Sequence, residues 1–253
     1  MDNGAFGDAG IRDAPSENWR RRRRTAALVA ALIVAAPASA PEPHRELLGR
    51  SVQDRPIVAY EAGDPAGIPV LVVGCIHGNE PAGIAVARYL LHNPPAGLDL
   101  WIVPVLNPDG LATKARGNAH GVDLNRNFPY HWRRLGGVYY SGRHPLSEVE
   151  ARIARSLILR THPSVSVWFH QHLDLVWASG GNLRVERRFA EVSGLPYHRL
   201  PPLAGSAIDW QNHALPGTTA FAAELPAGAA APAAVVRYAR AVLAAAKVSR
   251  RTP

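Results

Sequence analysis

A chain of 253 residues, 47% of them hydrophobic and only one a cysteine, is long enough to bury a substantial core without covalent staples. The single Cys75 excludes an intramolecular disulfide framework and a cysteine-rich zinc site, so any metal must be held by histidines and carboxylates. A net charge of +8 without a lysine/arginine stripe carrying interleaved aromatics argues against nucleic acid as a partner.

Residues 1–40 read as a charged N-terminus and signal-peptide-like leader. Arg20 to Arg24 form a basic block, Thr25 to Ala36 a short apolar run, and Pro37-Ala38-Ser39-Ala40 a small-residue region. The expectation is an exported protein, in the periplasm, the cell wall or outside the cell. The alternative is a membrane anchor formed by an uncleaved leader, which the shortness of the apolar run disfavours. Without these forty residues the charge falls to +6, still basic, so an anionic wall polymer or lipid surface is an expected neighbour. Nothing in the sequence sets an oligomeric state.

Residues 41–253 are expected to form one α/β domain, a central mixed, mostly parallel β-sheet flanked by helices. The strand candidates are 56–60, 70–75, 100–106, 165–169 and 219–223, and the helix candidates 81–92, 147–160, 185–193 and 231–248. The second helix opens Ser147-Glu148-Val149-Glu150, the pattern of a capping box. Pro and Gly cluster at 63–69, 93–97, 136–145 and 196–205, which read as loops. Cys75, at the end of the run from Val70, reads as a small buried hydrophobe.

The chemistry-bearing residues sit at strand ends. Ile76-His77-Gly78-Asn79-Glu80-Pro81 follows the strand 70–75 and places an imidazole and a carboxylate at i and i+3, where both can reach one metal. A third ligand is expected from another strand end, and Trp168-Phe169-His170-Gln171-His172 offers His170. If the extended geometry continued, His172 would face the same side and line the pocket. Glu224, inside the apolar run Ala220 to Leu225, is an acid that must have a partner or a task there.

Taken together these motifs resemble the zinc metallocarboxypeptidase family of the carboxypeptidase A type. The resemblance includes His77-Gly78-Asn79-Glu80, Asn107-Pro108-Asp109-Gly110, Arg116 to Pro129 with Gly121-Val122-Asp123-Leu124-Asn125-Arg126-Asn127-Phe128, Ser147-Glu148, His170 and Phe221-Ala222-Ala223-Glu224-Leu225. It implies one zinc ion on His77, Glu80 and His170, and Glu224 as general base. It also implies Arg116 beside the oxyanion, and Asn125 and Arg126 on the free carboxylate of a peptide substrate. Ile208 falls where the family sets side-chain specificity, and Asp123 is placed to orient a ligand histidine. The tyrosine that digestive members carry before a Gly-Ser-Ile-Asp-Trp-like segment is missing, since counting back from Gly205-Ser206-Ala207-Ile208-Asp209-Trp210 reaches Pro201.

The compact chain is most similar in size to bacterial murein peptide amidases, which makes a γ-glutamyl amide in a cell-wall peptide one candidate substrate. Two other readings stand beside it. One is a zinc-dependent N-acyl amino acid deacylase, similar to succinylglutamate desuccinylase or aspartoacylase. The other is an inactive wall-binding module, which would have lost a ligand or the base.

Overall fold

The computed structural model describes residues 42–249, and the leader lies outside them. Eight strands form one sheet: β1 (His44–Arg50), β2 (Pro56–Gly63), β3 (Ile68–Val73), β4 (Leu98–Val103), β5 (Val165–Gln171), β6 (Leu175–Ala178), β7 (Tyr197–Arg199) and β8 (Thr219–Leu225). Their order is β1-β2-β4-β3-β5-β8-β6-β7. The central four strands, β4, β3, β5 and β8, are all mutually parallel, while β1, β2 and the β6–β8 pair supply the antiparallel contacts. The mixed, mostly parallel sheet is therefore as expected.

Six helices cover the sheet: α1 (Ala82–His92), α2 (Pro108–Thr113), α3 (Val149–Thr161), α4 (Leu183–Ser193), α5 (Ala207–Ala214) and α6 (Pro232–Ser249). Because strand side chains alternate, a strand covered on both faces must be apolar at every position. β3 obeys this: Val70 and Val72 pack with α1, α4 and α6, and Leu71 and Val73 with α3 and α5. Each such fully buried side chain stabilises the fold by roughly 1.5–3 kcal/mol. Among the described residues no helix is long and apolar enough to cross a membrane.

The same alternation sets the site. In β5, Val165, Val167 and Phe169 face α1 and α6, so Trp168 and His170 face the α3/α5 side. In β8, Phe221, Ala223 and Leu225 take the first face, leaving Ala220, Ala222 and Glu224 on the second. His170 and Glu224 are partners in the β5–β8 register, so they stand side by side on one face at the carboxyl ends of parallel strands. β3 sends the chain to β4 on one side and has β5 on the other, which makes its carboxyl end a point where the winding direction reverses. Ligands of open α/β sheets bind in that crevice.

Several expectations are corrected. α3 begins at Val149, with Glu148 as N-cap residue making no side-chain cap, so Ser147 is not part of a capping box. The acids have other partners: Glu148 accepts from Asn118 and Ser147, and Glu150 from Asn118 and the Val52 N–H. Strand β5 ends at Gln171, so alternation does not extend to His172. The segment 196–205, read as loop, contains β7, and β1, β6, α2 and α5 were not anticipated. Cys75 is buried, and burial pushes its thiol up to about 12, consistent with an inert core residue.

Candidate zinc site and active site

His77 comes four residues after the end of β3, and the short turn to α1 brings Glu80 back beside it. His77 Nδ1 lies 2.9 Å from Glu80 Oε2, His170 Nδ1 lies 2.9 Å from the same oxygen, and the two imidazole nitrogens are 3.1 Å apart. All three residues are buried. His77 Nε2 meets the buried Asp123 Oδ1 at 2.8 Å, which commits its proton to that nitrogen and turns the Nδ1 lone pair into the cluster. A carboxylate and two imidazole nitrogens thus converge on one point, where hydrogen bonding satisfies them only in part. Spacings near 3 Å match neighbouring donors around a cation with bonds of about 2 Å, so the donor set fits zinc.

Electrostatics agree with the geometry. Burial alone would raise the Glu80 carboxyl, but the imidazoles of His170 and His77 beside it outweigh burial and hold the group well below the usual carboxylate range. Burial opposes ionisation of Asp123 likewise, and the neighbouring His77 and Arg116 overcome it, leaving the group ionised. Both carboxylates are therefore ionised beside the two imidazoles.

Arg116 ties the cluster together, its Nε donating to Asp123 Oδ2 and its Nη1 to Glu80 Oε1, each at 2.9 Å. Arg126 differs. It is 9% exposed, donates from Nη1 to the Asn125 carbonyl at 2.7 Å, and forms no ion pair with any described residue. Burial lowers its pKa, so this guanidinium is a desolvated charge with no carboxylate on it among the described residues. Asn125 is held in the same wall. Its Oδ1 accepts the Ala207 N–H at the start of α5 at 2.9 Å, which turns Nδ2 to the cavity wall, 3.5 Å from His170 Nε2.

Two close backbone approaches hold these loops. A Cβ on Gly78 would sit 1.8 Å from the Gly110 carbonyl carbon, so the ligand turn packs backbone to backbone on α2. Asn107, which caps α2 through the Gly110 N–H at 2.8 Å, also donates to the Gly117 carbonyl at 3.1 Å and thereby anchors the Arg116 loop. Gly205, at φ +68°, lies against the Arg126 carbonyl, where a Cβ would come within 2.1 Å.

His77, Glu80, Arg116, Asn125, Arg126, His170, His172, Ile208 and Glu224 all line one cavity of about 720 Å³. Glu224 Oε2 is buried there without a hydrogen-bond partner among the described residues, an acid with an unfilled acceptor on the cavity wall. His172 is exposed at the rim and Ile208 buried in the wall. Pro201 is outside the lining, and Tyr197 is turned to Glu186, its phenol donating to Oε2 at 3.1 Å. Asp123 lies behind the cavity wall. The same wall contains Arg133, Tyr139, Trp177 and Leu203, which the sequence did not single out.

Residues 33–184 match the family described as zinc carboxypeptidase. The chain belongs to that family. Murein peptide amidase A of Escherichia coli K12 is 32% identical over 146 residues, covering 52% of this chain and 60% of the relative. This match therefore spans about three fifths of the relative's length. The crystal structure of the murein-tripeptide amidase from Escherichia coli O157 aligns at 25% identity with a TM-score of 0.65, covering 85% of this chain and 95% of that one. Carboxypeptidase A from Helicoverpa armigera aligns at a TM-score of 0.71 and 19% identity, covering 82% and 68%, and shares the fold. The family implies zinc, and the His77, Glu80 and His170 cluster is where its donors converge.

Proposed function

We propose that this zinc carboxypeptidase family member is a peptidase or amidase that hydrolyses the amide bond next to a residue with a free carboxylate, with murein-derived peptides as its substrate class. The observation that carries the reading is one cavity lined by a metal-competent His77, Glu80 and His170, by a Glu224 whose Oε2 has no partner among the described residues, and by an Arg126 guanidinium that forms no ion pair among them. Arg126 and the Asn125 amide hold the terminal carboxylate, and Ile208 offers an apolar wall to the released residue. Zinc, when bound on His77, Glu80 and His170, supplies Lewis-acid polarisation of the carbonyl and a lowered pKa for water. Glu224 accepts the proton of the attacking water at Oε2 and returns it to the leaving nitrogen. Arg116, whose Nη2 makes no hydrogen bond among the described residues, donates to the carbonyl oxygen as charge develops there.

A second cavity of about 380 Å³ shares Asn79, Gln171 and Gly228 with the first. It extends the space available to a substrate and favours a peptide over the small N-acyl amino acid that a closed deacylase pocket would hold. The intact set of ligand candidates and base disfavours an inactive wall-binding module. The N-terminal forty residues are proposed as an export leader preceding a catalytic domain from residue 41, in keeping with a wall-derived substrate outside the cytoplasm.

One preparation tests these points. Wild type and Glu224→Gln are assayed for zinc, for N-terminal sequence after expression with the leader, and for hydrolysis of a panel of ordinary C-terminal residues and a γ-D-glutamyl-diaminopimelate peptide. The expected result is one zinc in both proteins and a loss of about 10²–10⁴-fold in kcat for the variant. A variant that cleaves as well as wild type, or a wild type that holds no zinc, overturns the assignment.

A further inference from the structure

Tyr139 is half exposed on the turn at residues 137–139, yet it lines the catalytic cavity, and its ring lies 5.4 Å from the Arg116 guanidinium carbon and 5.5 Å from that of Arg126. The turn is tied down at its base. The Asp123 N–H donates to the Tyr140 carbonyl at 2.8 Å, and the buried Ser141 accepts the Leu135 N–H and donates to the Arg133 carbonyl, each at 2.9 Å. Tyr139 is thus held by backbone bonds beside the residue that orients His77, with its side chain free to serve the cavity.

The two arginines need such a neighbour. Arg116 is balanced by Glu80 and Asp123, whereas Arg126 has no ion pair among the described residues, and Arg116 adds like-charge repulsion to the burial that already destabilises it. The negative face of an aromatic ring attracts a guanidinium, and one stacked on a ring keeps its edge N–H groups for a planar anion. We propose that Tyr139 is a substrate-positioning residue whose ring braces Arg116 and Arg126 for binding of the substrate's terminal carboxylate. This rests on the reading of the cavity as a carboxylate-binding hydrolase site. It puts an aromatic wall on a segment remote from Pro201, where the sequence lacks the tyrosine of digestive members.

The test is a direct binding measurement on the zinc-loaded full chain. Acetyl-leucine and acetyl-leucine amide are titrated calorimetrically into wild type, Tyr139→Leu and Tyr139→Phe, with zinc content and melting midpoint recorded for each. Tyr139→Leu is expected to weaken acetyl-leucine about tenfold, the scale of two exposed cation–π contacts, and to leave the amide unaffected. Tyr139→Phe, which keeps the ring, is expected to retain affinity within about twofold. Unchanged acetyl-leucine binding by Tyr139→Leu overturns the proposal alone. Equal weakening of acid and amide also overturns it, because the ring would then merely fill space. A wild type that binds neither compound overturns both the proposal and the functional reading beneath it.

Discussion

Glu186 is a buried acid with no place in the catalytic cavity. Burial pushes its carboxyl up, and the Tyr197 hydrogen bond counters this only in part. An acid raised in the folded state is protonated in both states at low pH and affects nothing there. As pH rises past the unfolded value, the unfolded chain ionises more readily than the folded one, so stability falls until the folded group also ionises. Glu186→Gln is therefore expected to melt higher than wild type at pH 7.5 and together with it at pH 4. Equal midpoints at pH 7.5 would mean that Glu186 carries its charge in the fold without cost. His170 and Glu224 were legible from sequence because each stands near the end of an apolar strand, and His77 and Glu80 because they follow one, where a polar group needs a task. Tyr139 was not: its position depends on a turn fastened through Ser141 and Asp123, and such tertiary bonds leave no periodicity.

At the scale of elements, the close packing of the ligand turn on α2 makes a sharp prediction. With a Cβ at Gly78 only 1.8 Å from Gly110 and 2.2 Å from the Leu111 nitrogen, Gly78→Ala forces two backbones apart next to His77 in the chain. The expected cost is about 1–3 kcal/mol of stability, together with weaker zinc retention. Gly136→Ala, where an added Cβ meets nothing within 4 Å, is the control and is expected to change neither. An alanine at 78 with unaltered melting and zinc content would show that the turn can relax without disturbing the ligand. The long elements α1, α3, α4 and α6 were readable because their burial stripes are regular. β7 has three residues and β6 four, too few to establish alternation, and α2 is a single short turn region between Asn107 and Lys114. α5 hides behind a Gly-Pro-rich approach, its start set by Ser206 and by the distant Asn125 side-chain Oδ1.

For the whole molecule, the donor cluster joins parts of the chain that lie far apart in sequence and that the sheet brings together. His77 and Glu80 belong to the β3–α1 turn, His170 comes 90 residues later on β5, and Asp123 and Arg116 bind them to the loop between α2 and α3. Without a cation, two inward imidazole nitrogens and a carboxylate share one buried point that protons satisfy only in part, so the metal belongs to stability as well as to chemistry. Because an ion that binds only the folded state stabilises it by mass action, a zinc concentration about a thousandfold above its dissociation constant adds about 4 kcal/mol. For a domain of this size that corresponds to a melting shift on the order of 10 °C. Chelation should lower the midpoint by about this amount, and added zinc should restore it in wild type and in Glu224→Gln alike, since that glutamate is not a ligand in the proposed set. If wild type recovers and Glu224→Gln does not, Glu224 contributes to holding the metal, and its assignment as base alone must be revised.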